Sequence, residues 1–159
     1  MKKFQIIPLT KAYAENIRST MVDEHGHTLK TMTLKSRALC RYCLSDGKPG
    51  MQHILFSYRP MIEDKNPYTE TGPVFIHDHC EQYNDIHIFP PAVKTRKYLT
   101  IRSYDSNQWM LAGIMSPGEE AEQAIEKLFE NPDAVYIHVG DASTGCYFLE
   151  VVRAEDQRL

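Results

Sequence analysis

The 159-residue sequence has no long apolar run, no internal repeat, no low-complexity tract and no large excess of charge of either sign. Each absence excludes a class. A membrane-spanning helix needs about 18 or more consecutive apolar residues, and residues 1–20 also lack the apolar core of a secretory signal. The expectation is therefore a cytoplasmic chain with no membrane partner. A net charge of −3 and a pI near 6.1 create no global field that would recruit nucleic acid or an anionic lipid surface. The chain contains no H-E-x-x-H, P-loop, G-x-S-x-G or G-x-G-x-x-G motif, so zincin, nucleotide-loop, hydrolase-elbow and dinucleotide readings have no anchor. Cysteine is scarce, at four residues. In a reducing compartment these are metal ligands, reactive thiols or core residues rather than disulfides. What remains is ordinary: 42% hydrophobic and 25% charged residues, in a length that fits a single domain over 1–159.

Against that background, three of the four cysteines fall in two close pairs. Cys40 and Cys43 form a C-x-x-C, and His77 and Cys80 form an H-x-x-C. Two x-x spacings let four side chains converge on one tetrahedral ion, at about 2.3 Å for sulfur and 2.0 Å for nitrogen. Zinc is the expected metal. His79 competes with His77 for the fourth position. Because His77 and Cys80 are three apart, both can face one point from a single turn. The order of knuckle, hairpin and second pair at a helical turn is that of a treble-clef-like finger over about 39–83.

Periodicity supplies the rest of the fold. Residues 4–8 read as a strand, and Thr10 is an N-cap for a helix to about Ser19, with Tyr13, Ala14 and Ile17 on one face. Strands are expected near 29–34, 51–58 and 74–76, with a long loop over 59–71. Residues 98–104 and 108–115 form a hairpin, and 135–139 and 146–153 form another. Between them, Ser116-Pro117-Gly118-Glu119 reads as a capping box for a helix carrying Ala121, Ala124, Ile125, Leu128 and Phe129. This ββαββ part, about 96–153, predicts an α+β fold: an antiparallel sheet with two main helices, plus the zinc-finger-like lobe.

Several of these stretches together resemble the uncharacterised bacterial family DUF1203. They include Phe4 to Pro8, Cys40-Arg41-Tyr42-Cys43-Leu44, Ser57-Tyr58-Arg59-Pro60, the run Tyr68-Thr69-Glu70-Thr71-Gly72-Pro73-Val74-Phe75-Ile76-His77, and Cys80. They continue through Arg102-Ser103-Tyr104-Asp105, Val135-Tyr136-Ile137-His138-Val139 and Gly145-Cys146-Tyr147. The likeness departs from the family pattern at Gly140 and Asp141, where arginine and asparagine are usual. It implies no reaction.

Two functional classes follow. The first is a binding or structural module whose zinc is structural. The second is a thiol-based enzyme. Its candidate residues are Cys146 with His138, which lie on adjacent predicted strands, or the Cys40–Cys43 pair in a redox cycle. The redox variant lacks the helix that would stabilise a thiolate after Cys43, since Asp46-Gly47-Lys48-Pro49-Gly50 follows instead. A zinc deaminase is excluded by motif order. Arg96, Tyr98, Thr100, Arg102 and Tyr104 share one face by period two, which reads as a solvated face or a site for a small anionic ligand.

Overall fold

A computed structural model describes residues 3–61 and 66–155. The first strand, β1 (Phe4–Ile7), leads into helix α1 (Lys11–Thr20). Thr10 caps that helix as its residue type dictates: its hydroxyl accepts the Tyr13 N–H at 3.2 Å. Met21 closes it in the left-handed region at φ 51°. Ala14 and Ile17 are buried on the inner face.

The chain then builds a three-stranded antiparallel sheet from β2 (Thr31–Thr33), β3 (Gln52–Tyr58) and β4 (Gly72–His77), in that order. Ile54, Phe56, Val74 and Ile76 form a core with Ala14 and Ile17 of α1 and with Cys40 and Tyr42. Within the expected loop over 59–71, residues 62–65 lie outside the described residues.

The second half contains the short helix α2 (Pro91–Lys94), β5 (Leu99–Tyr104), β6 (Met110–Ser116), α3 (Ala121–Leu128), β7 (Tyr136–Asp141) and β8 (Tyr147–Arg153). Both expected hairpins form, and β5 pairs β7 between them. The strand order is β1-β8-β7-β5-β6, all antiparallel. Leu99, Ile101, Ile137, Val139, Leu149 and Val151 point to one face, onto Ala121, Ile125 and Leu128 of α3. The opposite face carries Thr100, Arg102, Tyr104, Tyr136, His138 and Glu150 by the same alternation. The α+β class is therefore as expected, in two antiparallel sheets rather than one.

The capping box does not form. The Ser116 hydroxyl donates to the Pro117 carbonyl, and a 3₁₀ turn (Gly118–Glu120) precedes α3. Close packing explains the difference. A Cβ at Gly118 would fall 2.5 Å from the Lys94 carbonyl and 2.6 Å from that of Arg96, so Gly118 is there to let the α2 segment approach.

Candidate metal centre

The knuckle is built first from backbone. Leu44 adopts φ 53°, its N–H reaches the Cys40 carbonyl at 2.9 Å, and the Cys40 N–H reaches Ser45 O at 3.0 Å. Cys40 and Phe75 bridge in parallel, which sets the knuckle beside β4. The last residue of β4 is His77, and Cys80 follows after two bends. The second pair thus sits at a strand end, not at the start of the helical turn that a treble clef would place there. No helix follows until Pro91.

The structure brings Cys40, Cys43, His77 and Cys80 together, with their donor atoms all within 4.8 Å of one another. Cys40 Sγ and Cys80 Sγ are 3.8 Å apart, and Cys43 Sγ and His77 Nδ1 are 3.4 Å apart. Ligands at zinc distances on tetrahedral corners lie about 3.8 Å apart for two sulfurs and about 3.5 Å for sulfur and nitrogen. All four cysteines of the chain are free thiols. Cys40 and His77 are buried, whereas His79 is exposed and outside the group.

The electrostatics fit a cation. Burial alone would raise the Cys40 thiol, but hydrogen bonds from Cys43, Cys80 and His77 hold it far below its usual value. Cys80 is pushed far up, first by its hydrogen bond to Cys40. His77 is raised to about 10 by its hydrogen bonds to Cys40 and Cys43. One negative charge is stabilised here, and further thiolates collide with it. A divalent ion at the centre removes that conflict.

Residues that the sequence reading missed surround the four. The His77 N–H points to Cys40 Sγ at 3.3 Å. Arg18, from the last turn of α1, donates to Cys80 Sγ at 3.2 Å and to His77 O at 2.9 Å. His53, opposite His77 on β3, crosses its ring edge to face at a 4.6 Å centroid distance. Burial lowers the pKa of His53. Arg41, inside the knuckle, is buried. It donates to Leu39 O at 2.5 Å and to Tyr147 O at 2.6 Å, and stacks on Phe148 at 5.1 Å. The knuckle is thereby fastened to β8. An arginine between two cysteines was the available signal, because a buried guanidinium needs carbonyl partners.

Cys146 and His138 both line a cleft of about 410 Å³ between the two sheets. His138 Nε2 is 3.0 Å from Glu150 Oε2, and Cys146 Sγ is 4.0 Å from Thr144 O. The expected basic–aromatic face divides. Thr100, Arg102 and Tyr104 line the cleft, while Arg96 bonds Asp46 at 2.6 Å and Tyr98 is exposed.

Fold and site define a class: an α+β protein with a Cys₃His cluster suited to a metal ion. The family model described as "Protein of unknown function (DUF1203)" matches residues 38–153, and the chain belongs to that family. No curated protein and no solved structure matches it. Among the described residues, no helix is long and apolar enough to cross a membrane.

Proposed function

We propose that the protein is a binding module whose N-terminal lobe is held by a structural zinc ion on Cys40, Cys43, His77 and Cys80. The observation that carries this reading is the convergence of four donor atoms within 4.8 Å of one another, with two of the pairs at tetrahedral spacing. Three thiolates and one imidazole suit zinc, and four protein ligands leave no position for water or substrate. When bound, the ion supplies charge neutralisation and a cross-link. The chain's own residues do the rest: Arg18 and the His77 N–H shield the sulfurs, and Arg41 passes the knuckle's position to β8. On this reading the protein works in a reducing compartment such as the cytoplasm, where its four thiols stay available to a metal.

Elemental analysis of protein purified without added metal tests the reading. About one equivalent of zinc is expected, falling to near zero in Cys40→Ser. Less than about a tenth of an equivalent in the parent, with all thiols titratable, would sink it.

The second reading, a thiol enzyme, is favoured by the shared cleft of Cys146 and His138. It requires Cys146 to alkylate faster than a model thiol at neutral pH, whereas the zinc module requires Cys40, Cys43 and Cys80 to react slowly until a chelator is added.

A further inference from the structure

The face of the five-stranded sheet that α3 leaves uncovered carries a cross-strand row. Arg102 on β5 is opposite His138 on β7, which is opposite Glu150 on β8. Such a row on a free sheet face would be solvated. Here Tyr58, Gly72 and Pro73 of the second sheet line a cleft with Arg102 and His138 of that row. A volume of about 410 Å³ lies in the range of small-molecule sites.

The polar groups converge. A carboxylate only accepts hydrogen bonds, so His138 Nε2 must carry the proton it shares with Glu150. In the neutral ring this fixes the tautomer and makes Nδ1, with no protein partner among the described residues, an acceptor. The ring is held by Tyr104, Tyr136 and Tyr147, at centroid distances of 5.1, 5.0 and 5.2 Å. Beside it, Arg102 is bound by Glu70 at 3.0 Å, with the Glu70 side chain 69% exposed. An exposed carboxylate is a weak partner. Gly140 keeps the floor open: a Cβ there would lie 3.2 Å from Thr100 Oγ1 and 2.9 Å from the Cys146 carbonyl.

The geometry points to a binding site for a small aromatic carboxylate bearing a hydroxyl next to its acid group. Arg102 takes the carboxylate in place of Glu70, and His138 Nδ1 accepts the hydroxyl proton. The flat body lies against the tyrosine and proline walls. Because Arg102 and His138 are cross-strand neighbours, the two ligand groups must be adjacent. This site is independent of the metal centre.

Salicylate is the probe, titrated into the full chain with NMR detection of backbone amides. Binding near about 0.1–1 mM is expected, with shifts centred on Arg102, His138 and Gly140. Arg102→Gln should weaken it at least about tenfold, and Glu70→Gln should tighten it about two- to fivefold by removing the competitor. Benzoate should bind more weakly than salicylate, and benzamide not at all. Should Arg102→Gln fail to fold, the Glu70→Gln gain still decides. The proposal is overturned if salicylate causes no shift at about 10 mM. It also falls if the shifts lie elsewhere, if Glu70→Gln loses affinity, or if inorganic phosphate binds as tightly as salicylate.

Discussion

At the scale of single residues, the fourth ligand is the sharpest question. His77 Nδ1 lies 3.4 Å from Cys43 Sγ, while His79 faces outward. We expect His77→Ala to lose zinc and to melt well below the parent, alongside Cys40→Ser, and His79→Ala to keep both. Zinc content and Tm of the three variants check this, and a His79→Ala that behaved like Cys40→Ser would overturn the assignment. A second residue has a pH signature. Asp23 is buried in a loop, where burial by itself would raise its carboxyl. The N–H groups of Ser57, His25 and His27 and the His27 ring outweigh burial and hold it at about 2. An aspartate in the unfolded chain titrates near about 3.9, so the native state binds the proton less readily. Its stabilisation is therefore complete above about pH 4 and lost as pH falls toward about 2. Urea midpoints of the parent and Asp23→Asn should differ most at about pH 5 and converge only below about pH 2. A gap independent of pH would contradict the account.

At the scale of elements, local chemistry was legible and distant pairing was not. Thr10 announces α1, and the alternation around Leu99, Ile101, Ile137 and Val139 announces the two hairpins with their helix-facing side. The ligand pairs were legible because spacing of soft ligands is itself geometric information. The partnership of β1 with β8 was not, because nothing local in Phe4–Ile7 names a strand almost 150 residues away. Nor was the separate three-stranded sheet, which depends on α1 supplying Ala14 and Ile17 as its cover. The role of His53 was hidden too, since a histidine in a strand gives no sign of what lies across from it. The turn after the knuckle makes this testable. A Cβ at Gly47 would fall 2.2 Å from His53 Nε2 and 2.8 Å from Leu34 Cδ1, and His53 is fully buried against His77. Gly47→Ala must displace that ring, which packs edge to face on His77. The expected cost is about 1–3 kcal/mol, measured by denaturant unfolding, with faster zinc release to a chelator. A variant with parental stability and zinc release would show that the ring has room to move.

At the scale of the molecule, the proposed zinc on the Cys₃His cluster and the five-stranded sheet would be two separate means of holding the chain together. Structural zinc contributes on the order of 10–16 kcal/mol in isolated finger peptides. The four donor residues tie the knuckle over residues 40–44 to the end of β4, and Cys40 and Tyr42 also pack in the core of the three-stranded sheet. Chelation should therefore deprotect amides around the knuckle and the end of β4 first, while β5, β7 and β8 keep slow hydrogen exchange. Uniform loss of protection would mean that the sheet depends on the ion as well.

The pairing of β1 with β8 also has a consequence for the order in which the chain is made. Phe4 and Ile6 end up fully buried, yet their partners Arg153 and Val151 are among the last of the described residues to be synthesised. At ribosomal speeds the wait is roughly 7–30 s, during which the first strand carries exposed apolar side chains with no edge to join. The four residues proposed to hold zinc are all present once residue 80 has emerged, so on that reading the lobe can close long before the sheet does. A nascent chain short of zinc would meet the ribosome's surroundings with both its knuckle and its first strand unpaired, and metal supply during translation would then set how much of the protein escapes aggregation.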